Sequence, residues 1–170
     1  MEIILGVPRN SEKKIVTANE AKELIAKWQQ QGRKIVFTNG CFDILHKGHV
    51  QYLAAARKLG DALIIGLNSD ASIKRLKGNL RPILPLEERA AILASLECVD
   101  LIVIFEEDDP GKLIATLKPK ILVKGADWSE NKIIGSDTIK ALGGEVLTLP
   151  LVSGCSTTNV INTILERYGK

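Results

Sequence analysis

From residue 34 onward the chain alternates short, nearly unbroken apolar runs with segments of helical spacing, leaving little slack between them. The apolar runs fall at 35–39, 62–67, 101–105, 120–124 and 145–149 and are rich in Ile, Val and Leu. Strands that are apolar on both faces belong to a parallel sheet covered by helices on each side. Helical segments fill the gaps at 49–60, 85–97, 110–118 and 134–142, and a last one spans 156–168. Gly60, Pro85, Pro110 and the pair Gly143 and Gly144 stand at boundaries where helix starts and stops belong. The alternation predicts a doubly wound α/β domain.

Its sheet is expected to be five-stranded, parallel and Rossmann-like, in the order 3-2-1-4-5 with helices on both faces. Residues 34–170 form that domain, and residues 1–33 precede it as a separate lead-in. Met1 to Thr17 reads as loosely structured, whereas Ala18 to Gln31 reads as an amphipathic helix with Leu24, Ile25 and Trp28 on its buried stripe. Gly32 would end it.

Composition narrows the functional classes. With 170 residues, 45% of them hydrophobic, the chain can bury one good core. A net charge of +3 suits an anionic small molecule but is too weak and scattered for nucleic acid. The longest apolar runs fall far short of the roughly 20 residues a membrane helix needs, so no membrane contact is expected. Cys41, Cys98 and Cys155 are odd in number and widely spaced, which predicts reduced thiols. No charged start followed by a long apolar stretch opens the chain, so no secretory leader is expected and the protein is placed in the cytoplasm.

The chemistry concentrates after the first apolar run. The only two histidines form His46-Lys47-Gly48-His49, between a strand ending in Thr38-Asn39 and a helix carrying Val50, Leu53, Ala54 and Leu59. A helix N-terminus gathers unpaired N–H groups and the positive end of the dipole, and so makes a ready anion site. In an open sheet of this kind ligands bind at the carboxyl ends of the strands. Gly40 allows close backbone approach, while Asn39 and Asp43 are read either as ligand contacts or as turn-formers.

The stretch Thr38-Asn39-Gly40-Cys41-Phe42-Asp43-Ile44-Leu45-His46-Lys47-Gly48-His49 resembles the opening signature of the cytidylyltransferase-like nucleotidyltransferases. Four later segments resemble the sugar-phosphate adenylyltransferase branch that makes ADP-heptose: Gly66 to Asp70, Arg81-Pro82 through Arg89, Leu122 to Trp128, and Gly154 to Thr158. Together they cover residues from about 34 to 165. The resemblance implies a nucleotidyltransferase domain over 34–170 that joins D-glycero-β-D-manno-heptose 1-phosphate to the α-phosphate of ATP and releases pyrophosphate. Because the attacking phosphate oxygen is already ionised, such an enzyme needs positioning and charge neutralisation, not a general base.

By the same resemblance His46, His49 and Lys124 are the expected catalytic residues. Thr38, Asn39, Gly40, Phe42, Gly48, Ser156, Thr157 and Thr158 are expected around the nucleotide, and Asp43, Asn68, Asp70, Lys77, Arg81, Gly125 and Asp127 around the second substrate. Some carry a plainer reading too. Lys124 can snorkel from a sheet edge, Ser156 can cap a helix, and the charges from Lys74 to Arg81, read as a loop, can be a solvated face. Arg89 is read as pairing with Glu87, Glu88 or a neighbouring carboxylate.

Mg²⁺ is implied as the companion of ATP, held mainly by phosphate oxygens and water, and no protein metal ligand is assigned. A stand-alone enzyme is expected, since 170 residues leave no room for the sugar kinase sometimes fused to this module, and a homodimer is expected as the commonest soluble assembly. Two other readings remain open. One is a CTP-dependent transferase acting on glycerol 3-phosphate or an aminoalcohol phosphate; against it, Leu151 to Cys155 stand where that group carries Arg-Thr-Glu-Gly. The other is a nucleotide-binding module without turnover.

Overall fold

The structure, a computed structural model, describes residues 10–129 and 132–169; the expectation for residues 1–9 lies outside them. In chain order the elements are β1 (Ile15–Val16), α1 (Ala18–Gln30), β2 (Ile35–Gly40), α2 (Lys47–Arg57), β3 (Ala62–Asn68), α3 (Asp70–Lys77) and α4 (Leu86–Ala94). There follow β4 (Leu101–Phe105), α5 (Gly111–Leu117), β5 (Ile121–Gly125), α6 (Ser136–Ala141), β6 (Glu145–Leu149) and α7 (Thr157–Tyr168).

All pairings are parallel, in the order β1-β4-β3-β2-β5-β6. The sheet therefore has six strands where five are expected. The expected five keep their predicted sequence of neighbours, and β1 adds itself outside β4, with Ile15 opposite Ile102 and Val16 opposite Val103. So the lead-in before Thr17 is not all loose: a single 3-10 turn at Ser11–Lys14 delivers this two-residue strand to the edge. Two residues are too few to show any periodicity.

Alternation along the strands divides the core in two. Ile35, Phe37, Ile64, Val103 and Leu122 face one side, where Ala21 and Ile25 of α1, Leu113 and Leu117 of α5 and Ile139 of α6 cover them. Val36, Leu63, Ile65, Ile102 and Val123 face the other, beneath Leu53 of α2 and Ala90 and Leu93 of α4. Both faces of the central strands are thus dry, which explains their continuous apolar sequence. The outer strand β6 is the exception, with Glu145 and Thr148 exposed.

Two boundaries matter for the site. The second helix begins at Lys47, two residues earlier than its apolar spacing indicates, so His46 is its N-cap and Gly48 and His49 lie in its first turn. The charged stretch after β3 is not a loop but α3, capped by the Ser69 hydroxyl on the Ser72 N–H and ended by Gly78 at φ +92°.

Candidate active site

The carboxyl ends of β2 and β5, the end of α3 with the loop after it, and the N-termini of α2 and α7 open onto one cleft of about 480 Å³. Strand order sets its layout. β2 is flanked by β3 on one side and β5 on the other, so material following β3 faces material following β5 across the end of β2.

The loop from Cys41 to His46 is tightly shaped: Phe42 and Ile44 hold φ of 46° and 52°, a left-handed backbone that such side chains rarely adopt. That turn sends the Phe42 ring back over Gly40, where a Cβ would meet it at 3.1 Å, and edge-on to His49 at 5.3 Å between centroids. His46 and His49 stack on each other at 3.9 Å. Nδ1 of each is buried with no hydrogen-bond partner among the described residues. Burial lowers the proton affinity of both, and that of His49, with His46 adding to the effect, falls to about 4. At neutral pH the pair is two uncharged rings, each offering one N–H donor. At Gly48 a Cβ would come to 3.0 Å of both the His46 ring and Cys155 Cβ, so the stack and the loop before α7 pack tightly around this position and a side chain there would press on the His46 ring.

From the β5 side Lys124 reaches across to β2, donating to Asn39 Oδ1 at 2.5 Å and more weakly to the Asn39 carbonyl. Its ammonium lies 5.7 Å from the centre of the Trp128 ring. Burial, partly offset by Asp127, brings its pKa down to about 8. Gly125 is crowded by Asp127 and Leu151, either of which a Cβ would strike.

From the β3 side come Lys77 and Arg81. Arg81 Nε donates to Asp43 at 2.5 Å, and the same carboxylate accepts the backbone N–H groups of Ile83 and Leu84. Asp43 is almost fully buried; desolvation would raise its pKa, but the Leu84 and Ile83 N–H groups and Arg81 outweigh it and hold the carboxyl below its ordinary range. Its backbone carbonyl accepts from the Thr157 hydroxyl at 2.6 Å, which ties the start of α7 to this loop. The Ser156 hydroxyl caps α7 by accepting from Asn159 N–H.

The cleft thus brings together Asn39, Gly40, Phe42, Asp43, His46, Gly48, His49, Lys77, Arg81, Lys124, Gly125, Asp127, Ser156, Thr157 and Thr158. Three expected residues do not line it. Thr38 is wholly buried and hydrogen-bonds the Tyr52 hydroxyl at 2.9 Å. Asn68 donates to Ser72 Oγ, and Asp70 pairs with Arg89 and accepts from the first amide of α4. Conversely, Cys41, Tyr52, Trp128, Leu151, Val152 and Cys155 line the cleft without having been singled out as site residues. Among the described residues no three His, Cys, Asp or Glu side chains converge to hold a metal ion, and no helix is long and apolar enough to cross a membrane.

A parallel sheet with paired histidines at a helix N-terminus and cations on both flanks defines an α/β domain whose cleft gathers donors able to meet an anion. Residues 37–162 match the cytidylyltransferase-like family model, and the chain belongs to that family. Two curated relatives are each named bifunctional protein HldE. That of Trichlorobacter lovleyi is 52% identical over 170 residues, covering 98% of this chain and 35% of that protein. That of Pectobacterium carotovorum subsp. carotovorum is 57% identical over 156 residues, covering 92% and 33%. The chain spans about a third of the length of the curated relatives it matches. Among solved structures, a lipopolysaccharide core biosynthesis protein from Thermoplasma volcanium superposes with a TM-score of 0.59 at 33% identity, over 71% of this chain and 98% of that one. A pantoate-β-alanine ligase from Francisella tularensis superposes at 0.58 with 17% identity, over 89% and 77%, a likeness of fold alone.

Proposed function

We propose that this chain is an adenylyltransferase that joins D-glycero-β-D-manno-heptose 1-phosphate to ATP. A phosphate oxygen of the sugar phosphate attacks the α-phosphorus in line, the bond to the bridging oxygen breaks, and pyrophosphate leaves with ADP-heptose as product. The observation that carries this reading is the convergence of the stacked His46 and His49 with Lys124 and Arg81 on one cleft. No group there is needed as a base, because the nucleophile is already an anion. Identity of 52% and 57% to proteins named HldE supports the branch.

In this reading the two imidazoles and the first amides of α2 donate to the triphosphate, whose charge draws protons onto the rings as it binds. Lys124 leaves Asn39 for a phosphate oxygen. Ser156, Thr157 and Thr158 hold the phosphate tail at the start of α7, and Asn39, Gly40, Phe42 and Gly48 shape the nucleotide's bed. Lys77 and Arg81 take phosphate charge from the other flank, while Gly125 and Asp127 meet hydroxyls of the substrate. The donor set does not fit a protein-held metal cage, so Mg²⁺ enters with the substrate as Mg·ATP. The reading includes a cytoplasmic location, to which three free cysteines are suited, and a homodimer, the commonest soluble assembly.

The test is pyrophosphate release with Mg²⁺ from ATP or CTP paired with the heptose 1-phosphate, glycerol 3-phosphate or phosphocholine. Turnover confined to ATP with the heptose phosphate is expected. Turnover with CTP and glycerol 3-phosphate or phosphocholine would replace this reading with a cytidylyltransferase, and nucleotide binding without turnover from any pair would replace it with a non-catalytic module.

A further inference from the structure

Arg89 is the largest fully buried side chain among the described residues, although it is a cation in the middle of a helix. A guanidinium is tolerated in such a place only when its donors are matched. They are matched here by four separate segments. Nη1 donates to the carbonyls of Cys41 at 2.7 Å and Asn68 at 3.0 Å, Nε to the carbonyl of Leu84 at 3.1 Å, and Nη2 to the Asp70 carboxylate at 2.6 Å. These are the loop after β2, the end of β3, the approach to α4 and the start of α3. None of the four acceptors is a neighbour of Arg89 within its own helix.

Two of the four bear directly on Arg81. Leu84, whose carbonyl Arg89 holds, gives its N–H to Asp43 Oδ1. Cys41, whose carbonyl Arg89 also holds, stands two residues before Asp43. Asp43 in turn grips Arg81 Nε, fixing one of five guanidinium donors while the residue lines the cleft. Arg89 therefore clamps both the chain that carries Asp43 and the chain that carries Arg81, from behind, without reaching the cleft itself.

We infer that Arg89 is a positioning residue, which holds the Asp43–Arg81 pair so that Arg81 presents its guanidinium to an anion in the cleft. The inference rests on the proposed use of Arg81 as a phosphate contact. Lysine cannot substitute, because a single ammonium on a flexible stem cannot serve four acceptors spread around a planar fork.

A double-mutant cycle on the full chain tests it, read by calorimetric affinity for inorganic tripolyphosphate and by kcat/KM in the pyrophosphate assay. Arg81→Gln and Arg89→Lys are each expected to weaken tripolyphosphate binding about tenfold or more, and the double variant no more than about twofold beyond Arg81→Gln alone. Additive losses, or an Arg89→Lys chain that unfolds earlier but binds tripolyphosphate like the wild type, would overturn the inference and leave Arg89 a purely structural residue. Should Arg89→Lys show no cooperative unfolding, Asp70→Asn takes its place in the cycle. It loosens the same guanidinium at its only charged partner, and non-additive weakening of about threefold is then the supporting result; no change or additivity is the overturning one. Tripolyphosphate binding coupled through Arg81 in a chain that turns over no substrate pair would sink the proposed reaction and leave this inference standing. A wild-type chain that binds no tripolyphosphate would sink the inference.

Discussion

The imidazoles of His46 and His49 lie nearly face to face, their centroids 3.9 Å apart and their planes 23° from parallel, and burial holds both below their ordinary proton affinity. Two rings in that arrangement contribute donors, not charge, until an anion arrives. Replacing either with alanine should lower kcat by about 10²-fold or more, as expected when a donor to developing charge is lost. The thermal midpoint should hardly move, since neither Nδ1 has a hydrogen bond to lose among the described residues. Unfolding of either variant would assign the pair to the framework instead.

The depressed pKa of His49 also makes stability depend on pH. Between its ordinary 6.5 and about 4 the unfolded chain binds a proton that the folded chain refuses, so stability falls as pH drops through that window and levels off below it. At pH 5 the loss should be about 1–2 kcal/mol. Thermal melts from pH 7.5 to 5 should show a shallower decline for His49→Gln than for the wild type, and equal declines would disprove the link.

Lys124 titrates on the other side of neutrality. Its ammonium is lost as pH rises through about 8, so kcat/KM should fall on the alkaline limb with that midpoint. Lys124→Arg should carry the limb beyond pH 10 while retaining measurable turnover, and Lys124→Met should lose about 10²-fold at every pH. An alkaline limb that stays put in Lys124→Arg would belong to another group.

Gly48→Ala separates activity from stability. Alanine favours the helix by roughly 0.8–1 kcal/mol over glycine, yet its Cβ would press on the His46 ring and on Cys155. Turnover should drop at least about tenfold, in line with the sensitivity of catalysis to ångström displacements, with the thermal midpoint unchanged or raised. Normal turnover would mean the ring moves aside without consequence.

Asp43→Ala should be costly in a different way. It leaves the amides of Ile83 and Leu84 without their acceptor and Arg81 without its counter-charge, a loss of about 3 kcal/mol or more by denaturant unfolding. A stability close to wild type would show that water replaces the carboxylate with ease.

Much of this was readable from the sequence, and the gaps have physical causes. Runs such as Leu63-Ile64-Ile65 are apolar on both faces because both faces are covered, and that pattern yields a parallel sheet, while the order of its central strands comes from likeness to doubly wound folds. The strand Ile15–Val16 is invisible because two residues carry no period. Helix α3 hides in a charged stretch because its buried face is only Ser72 and Ile73, while Leu76 points outward. Whether a polar residue at a strand end reaches the ligand or turns beneath it depends on a partner far away in sequence. Thr38 turns under to Tyr52, and Asn68 and Asp70 turn toward Ser72 and Arg89, while Asn39 meets Lys124 at the cleft. Arg89 reads as a partner of Glu87, Glu88 or another nearby carboxylate until its place beside Ala90 and four residues before Leu93 is noted, which puts it on the buried face of α4, where the carboxylate it meets is Asp70.

Trp128 has one further use. The chain holds two tryptophans, and their surroundings could hardly differ more. Trp28 packs against the core from α1 with the guanidinium of Arg33 4.8 Å above its ring, whereas Trp128 is half exposed at the cleft beside the ammonium of Lys124. A ligand that draws Lys124 away changes the electrostatic surroundings of that indole and leaves the other as it was. Intrinsic emission of a Trp28→Phe chain would then follow occupancy directly, giving a label-free titration of the site that requires no turnover.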